Sequence, residues 1–246
     1  MTNNQAKLIR SLHDKKNRQE LGLFLVEGAK SVIEVLQSTF EIEQIFCTSS
    51  FSDENFELLE SKAGRGKIEI TEIFELEKAG TLETNDAAIA IVKQRPNTLP
   101  IISEEQITLA LDDVRDPGNL GTIIRIADWY GIKNIIASKT TTDFYNSKVI
   151  SASKGSFTRV NIFYTDLKDF LSTTKLPILG AFMEGQNVHD YKFPNKGILI
   201  MGNESNGICK ETEELVTEKI TIPRFGQAES LNVGIATAII LDNWKR

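Results

Sequence analysis

The stretch Thr108–Gly131, TLALDDVRDPGNLGTIIRIADWYG, decides how the rest of the chain is read. A short apolar run, Thr108–Leu111, passes through charged and turn-forming residues into Leu120–Tyr130, whose apolar positions recur at helical spacing. Strand, polar turn and helix in that order form the repeating unit of a parallel α/β sheet. Downstream the alternation continues with strand Asn134–Ala137, helix Tyr145–Ser153, strand Arg159–Phe163 and helix Leu167–Ser172. Strands at Ile178–Ala181, Ile198–Met201 and Ile220–Ile222 follow, and a helix over Val233–Trp244 ends the chain. Upstream the pattern predicts helix Glu27–Gln37, strand Ile42–Cys47, helix Asp53–Lys62, a short strand Ile68–Ile70 and strand Ala87–Val92. The segment Lys93–Glu105 interrupts this order, because Pro96 and Pro100 remove backbone donors and bias the preceding residues away from helix. The reading is therefore α/β throughout: a small domain over residues 1–94, a linker over 95–106, and a mostly parallel sheet with covering helices over 107–246. No internal repeat is visible, and ligands are expected beyond the carboxyl ends of the strands.

Composition narrows the function classes. With 28 Lys and Arg against 34 Asp and Glu, the chain of 246 residues carries a formal charge of −6, which argues against sequence-blind coating of nucleic acid but allows a local basic patch. Cys47 and Cys209 stand alone with no paired Cys or His spacing, so no zinc or redox motif exists, no metal is expected, and a reducing compartment is the simplest reading. MTNNQAKLIR has no apolar signal-peptide core, and apolar runs such as Ile198–Met201 and Val233–Leu241 are too short to span a bilayer. A cytoplasmic protein without membrane contact is expected.

Three stretches place glycine and polar residues directly after an apolar strand: Leu111–Gly131, Ile198–Ile208 (ILIMGNESNGI) and Ile220–Asp242 (ITIPRFGQAESLNVGIATAIILD). In the first, Pro117 and Gly118 predict a tight turn, Asn119 can cap the next helix, Gly121 permits close backbone approach, and Arg125 falls about a turn and a half into that helix. Neither GxGxxG nor GxxxxGK[ST] is present, which excludes the usual dinucleotide and P-loop cradles. The second stretch is a Gly/Asn-rich turn containing Glu204, and in the third Ser230 or Asn232 can cap the last helix. Taken alone, the first stretch is equally explained as an ordinary strand-turn-helix connection, the second is better explained as a Gly/Asn-rich turn with Glu204 in solvent, and capping is the default role in the third. His13 and His189 have no ligand-spaced partner, and Ser151, Ser153 and Ser156 lack a nucleophile elbow. The N-terminal KLIRSLHDKKNRQE gathers Lys7, Arg10, Lys15, Lys16 and Arg18, a candidate phosphate-facing patch or a solvated helix face. Asp143, Tyr145, Lys148 and Lys154 form a second loop-helix region open to a polyanion.

Taken together and in order, the three stretches resemble the three motifs of the SpoU, or TrmH, family of RNA 2′-O-ribose methyltransferases. Asn119-Leu120-Gly121-Thr122-Ile123-Ile124-Arg125 matches the first motif, Met201-Gly202-Asn203-Glu204 with Gly207 the second, and Ser230-Leu231-Asn232-Val233 with Ala236 the third. Phe24-Leu25-Val26-Glu27-Gly28 resembles the start of that family's small, ribosomal-protein-like substrate-binding domain. The resemblance implies a C-terminal domain tied in a trefoil knot, a homodimer through that domain, and S-adenosylmethionine bound at Ala181, Met201, Gly202, Ile222 and Leu231. It implies catalytic roles for Asn119, Arg125, Glu204, Ser230 and Asn232, with Arg125 clamping a phosphate rather than acting as a base, since guanidinium stays protonated. The RNA would be held at Lys7, Arg10, Lys15, Lys16 and Arg18, with ribosomal RNA favoured over transfer RNA. One departure stands out: where many relatives have glycine after the motif-two glutamate, this chain has Ser205. A non-catalytic RNA-binding or ribosome-assembly protein is the reading from another class, and a nicotinamide oxidoreductase is disfavoured by the missing glycine fingerprint.

Overall fold

The computed structural model describes residues 1–100 and 106–246, so the linker expected over 95–106 falls in part, at 101–105, outside the described residues. In chain order the elements are α1 (Asn3–Ser11), α2 (Lys15–Leu21), β1 (Leu23–Glu27), α3 (Ala29–Leu36), β2 (Ile42–Cys47), α4 (Ser49–Glu54), α5 (Phe56–Lys62), β3 (Ile68–Ile70), α6 (Ile73–Ala79) and β4 (Ala88–Lys93). They continue with β5 (Ile107–Leu111), α7 (Pro117–Trp129), β6 (Asn134–Ser138), α8 (Ser147–Ser153), β7 (Asn161–Thr165), α9 (Leu167–Ser172), β8 (Ile178–Asn187), β9 (Gly197–Met201), α10 (Lys210–Glu213), β10 (Glu218–Thr221) and α11 (Val233–Lys245). Two compact units result: Met1–Pro96 with Asp143–Thr158, and Asn97–Thr142 with Arg159–Arg246.

The first unit is built on a four-stranded sheet of order β1-β4-β2-β3, in which β4 runs antiparallel to both β1 and β2 and β3 lies parallel to β2. Strand β4 (AIAIVK) is buried along its length except at Lys93, as a central strand covered on both faces should be. Ile9, Leu12, Leu25, Phe46, Leu76, Ile89 and Ile91 share one core. Helices α1 and α2 and strand β1 were not foreseen as elements. The first helix ends at Ser11 with Leu12 as its C-cap, and Asp14 caps the second by accepting the Lys16 and Asn17 amides, so two short helices hide inside what reads as one basic segment. The expected helix start at Glu27 moves to Ala29, because Gly28 (φ 84°) turns the chain out of β1.

Residues 143–158 belong to this first unit, although their sequence position had assigned them to the 107–246 domain. The Tyr145 ring lies 4.6 Å from that of Phe24, Phe157 stands edge-on to Phe24 at 6.3 Å, and the Tyr145 hydroxyl accepts the Arg95 amide at 2.9 Å. A helix in a βαβ pattern is expected to cover its own sheet. This one carries the aromatic contacts that tie it to a different one.

The second unit holds a six-stranded sheet of order β10-β8-β9-β5-β6-β7, with every neighbouring pair parallel. The expected parallel α/β sheet is present. The inner strands β5 and β9 are buried at every residue, and Leu111 is paired with Met201 at their carboxyl ends. Strand β8 runs to Asn187 rather than ending at Ala181, because its outer half is paired with β10 across a register shift at Lys219/Ile220. Helix α11 packs beside α7, where a Cβ on Gly234 would lie 3.0 Å from the Thr122 methyl group. Among the described residues no helix is long and apolar enough to cross a membrane.

Candidate active site

The start of α7 sets the geometry. Asp116, not Asn119, is the N-cap: its carboxylate accepts the Asn119 amide at 2.8 Å, and Pro117 occupies the first helical position that its fixed φ suits. The helix therefore begins three residues before the predicted Leu120, and Arg125 lies deeper in it than expected. The consequence is chemical, since the Asn119 side chain, relieved of capping, is free to bond elsewhere.

At the other end of the chain Asn232 does cap α11, its Oδ1 accepting the amides of Gly234 (3.0 Å) and Ile235 (3.3 Å). That commitment fixes the amide orientation. Asn232 Nδ2 must then be the group that donates, at 2.8 Å, to Asn119 Oδ1, and Asn119 Nδ2 in turn donates to the Glu204 carboxylate. Three predicted catalytic residues, drawn from three separate stretches, thus form one hydrogen-bonded chain.

Glu204 sits at the tip of a tight loop after β9. The Asn203 and Gly207 backbones exchange two hydrogen bonds of 2.9 Å, and Gly207 closes the turn at φ 69°. Gly202 is required by contact rather than by φ: an added Cβ would lie 2.3 Å from the Gly207 carbonyl carbon. Within the loop, Asn203 Oδ1 accepts the amides of Ser205 (2.8 Å) and Asn206 (3.1 Å), while its Nδ2 donates to the Asp113 carbonyl at 2.8 Å. Ser205 contributes its backbone N–H and stays out of the left-handed region, so the glycine common at this position is not needed here.

Asp112 and Asp113 pin this loop from the end of β5, and sequence reasoning missed both. Asp112, 4 % exposed, accepts the Cys209 amide at 2.9 Å and its own N–H donates to the Met201 carbonyl at 2.9 Å. Asp113 takes φ 61° and donates its N–H to Ser138 Oγ at 2.9 Å. The available signal was a pair of carboxylates directly behind the apolar run Leu109–Leu111, where a buried Asp must find backbone donors.

A cavity of about 1030 Å³ opens beyond the ends of β8, β9 and β10. All five residues expected to hold a cofactor line it, namely Ala181, Met201, Gly202, Ile222 and Leu231, and so do Glu204 and Ser230. Arg125 is not among the lining residues. Its side chain is exposed on α7, and among the described residues it has no hydrogen bond or ion pair.

The basic patch divides. Lys7, Arg10, Lys15 and Lys16 are exposed. Arg18 is not a surface group: it is 2 % exposed, its Nη1 donates to the Leu12 and His13 carbonyls (2.9 and 2.8 Å), and its Nε and Nη2 donate to Asp143 (3.1 and 2.7 Å). Its position on the inner face of the seven-residue α2 buries a charge that composition alone placed in solvent. Asp143 and Tyr145 are likewise consumed internally, while Lys148 and Lys154 remain exposed. Among the described residues no group of three or more His, Cys, Asp or Glu side chains is placed to hold a metal ion.

Residues 106–242 match the model of the SpoU rRNA Methylase family, and residues 3–90 match that of the MRM3-like substrate binding domain. Over 97% of its length the chain is 29% identical to the 23S rRNA (guanosine(2553)-2′-O)-methyltransferase RlmP of Bacillus subtilis (strain 168), of which it covers 95%. Among solved structures, an AdoMet-bound rRNA methyltransferase from Sinorhizobium meliloti superposes with a TM-score of 0.89 at 29% identity, covering 100% of this chain and 95% of that one. A TrmH-family chain from Porphyromonas gingivalis gives 0.86 at 32% identity, covering 99% and 98%.

Proposed function

As the chain belongs to the SpoU rRNA methylase family, we propose that it transfers the methyl group of S-adenosylmethionine to a ribose 2′-hydroxyl of ribosomal RNA. The observation that carries this reading is the Glu204–Asn119–Asn232 chain fixed at the edge of the cavity. The cavity is at the upper end of small-molecule sites, about 300–1,000 Å³, and Gly202 in its wall lets the loop backbone at Gly207 and Ile208 close against the end of β9. Ala181, Met201, Gly202, Ile222 and Leu231 would hold the cofactor, which when bound supplies a methyl group already activated on a sulfonium.

The chain's own task is alignment. Arg125, an unpaired and exposed guanidinium, suits a bidentate grip on the phosphate beside the target ribose, which orients the hydroxyl and favours the developing oxyanion. Ser230 brings a hydroxyl to the cavity, in position to hold the ribose. Asn119 and Asn232 fix Glu204 and the loop around it. Lys7, Arg10, Lys15 and Lys16 would hold the RNA backbone by shape and charge rather than base sequence.

Three further features belong to the same reading. The apolar residues left exposed on α7 and α11, Trp129 (85 %) and Ile235 (53 %), support a homodimer formed through this face. The knot is supported by residues 222–226 and 228–231, which share the cavity wall with residues 181–184 and 201–207 before α11 packs beside α7. A cytoplasmic location suits a modifier of ribosomal RNA. The experiment that tests the proposal is transfer of labelled methyl to ribosomal RNA from cells lacking this protein. Label in alkali-resistant dinucleotides is the expected result, and cofactor binding without label in either free RNA or assembly intermediates would overturn it.

A further inference from the structure

One residue of the cavity wall has no role in the site as described. Phe225 is 96 % exposed, although phenylalanine is among the residues most often buried. It sits in the loop Pro223–Ser230, where Arg224, Gly226, Gln227, Ala228 and Glu229 are exposed as well, so its neighbours along the chain are polar or small. The loop nevertheless lines the same cavity as Glu204 and Ser230. Arg224, its neighbour, makes one hydrogen bond, from Nη1 to the Ala228 carbonyl at 3.3 Å.

An isolated aromatic ring in a polar loop at the mouth of a reaction cavity calls for a flat apolar partner that arrives with the substrate. Unpaired RNA bases are such partners, and stacking on Phe, Tyr or Trp is how proteins commonly hold them. A ribose whose 2′-hydroxyl is presented to the cavity carries its base on the adjacent carbon, within reach of the cavity rim. We propose that Phe225 is the stacking platform for the base of the nucleotide being methylated. This rests on the methyl-transfer reading above and adds to it a positioning residue that acts on the acceptor and not on the cofactor. It also implies that the target nucleotide is unpaired when it reacts, because a base within a helix has no free face to offer.

The test uses the full chain and ribosomal RNA from cells lacking it, with Phe225→Ala, Phe225→Leu and Phe225→Trp compared. Base stacking on an aromatic side chain corresponds to a loss of about 5- to 150-fold on truncation. Phe225→Ala and Phe225→Leu should lose kcat/KM for RNA by that factor, mainly through KM, whereas Phe225→Trp should stay within about threefold of wild type. Affinity for S-adenosylmethionine, oligomeric state and unfolding midpoint should not move, since the side chain touches solvent on almost all sides. Full activity of Phe225→Ala, rescue by leucine as good as by tryptophan, a matching loss of cofactor affinity, or dissociation of a dimer would each overturn the assignment. Wild-type protein that transfers no methyl to any of these RNAs would instead overturn the functional reading beneath it, so the two failures are told apart by the wild-type lane.

Discussion

Replacing Asn119 by Asp alters one atom in the middle of the Glu204–Asn119–Asn232 chain and leaves its shape intact. Oδ1 continues to accept from Asn232, but the Nδ2 that donates to Glu204 becomes a second carboxylate oxygen. Two carboxylates in hydrogen-bond contact, with charge centres about 4 Å apart, repel by about 4 kcal/mol at an effective dielectric of 20 and about 1 kcal/mol in water. Both side chains are partly exposed, so a destabilisation of about 1–2 kcal/mol at pH 7 is expected. The sign with pH follows. The folded pair takes up a proton more readily than either group in the unfolded chain, so its joint apparent pKa is raised. The deficit is then absent below the unfolded carboxylate range and grows as pH rises through the folded value. Urea unfolding of wild type and Asn119→Asp from pH 4.5 to 8 reads this directly. Adding Glu204→Gln to Asn119→Asp restores a donor, and most of the lost stability should return. A deficit that is independent of pH, or that the double variant leaves untouched, would show that Asn119 and Glu204 are not partners.

The other predictions concern charge and burial. Arg125→Ala should abolish turnover while leaving cofactor affinity nearly intact, as titration with S-adenosylmethionine beside single-turnover methyl transfer will show. Arg18→Ala leaves Asp143 and two carbonyls without their donor in a buried site, so the unfolding free energy should fall by about 3–5 kcal/mol, measured from the urea midpoint. By contrast Lys15→Glu with Lys16→Glu should leave stability within about 0.5 kcal/mol, yet weaken RNA binding and reduce the slope of log K against log salt by about 2. Burial pushes the Cys47 thiol up to about 11, so at pH 8 a disulfide reagent should titrate Cys209 in native protein and reach Cys47 only after unfolding. Because the folded value lies above the ordinary one, the stability Cys47 confers is complete below about pH 9 and lost as pH rises towards 11.

How much of this was legible in the chain depended on which residues act locally. The parallel sheet was readable because β5, β6 and β9 each hold a short apolar run, Leu109–Leu111, Ile135–Ala137 and Ile198–Met201, of the kind that a strand covered on both faces needs. The five residues expected to hold a cofactor were assigned by their position in the fold that the motif order implied, and one cavity gathers all of them. Three things escaped for a physical reason. Arg18 and Lys15 are the same charge in one short helix, and only the packing of α2 separates a buried ion pair from a solvated amine. The segment 143–158 reads as a crossover helix, and its place is decided by ring contacts with Phe24 that carry no sequence signature. Asn119 was credited with the cap that Asp116 makes, since both residue types cap well and only Pro117, between them, favours the earlier start.

That shift of three residues separates the groups that hold the site from those that act in it. Had Asn119 capped α7, its oxygen would be spent on backbone amides, and Asn232 and Glu204 would have no common partner. With Asp116 as the cap, Asn119 can bridge the start of α11 to the loop after β9, so the first and last helices of the unit are tied to the cavity rim through one side chain. Asn119, Glu204 and Asn232 thereby satisfy one another, and of the five motif residues Arg125 and Ser230 alone have no hydrogen-bond partner among the described residues. A polar group already bonded within the protein contributes rigidity, because breaking that bond to engage substrate would cost about what the new bond returns. An uncommitted guanidinium and an uncommitted hydroxyl face no such exchange. On the proposed methyl transfer, the work of meeting phosphate and ribose would therefore fall to Arg125 and Ser230, with the three-residue chain keeping the geometry in which they meet it.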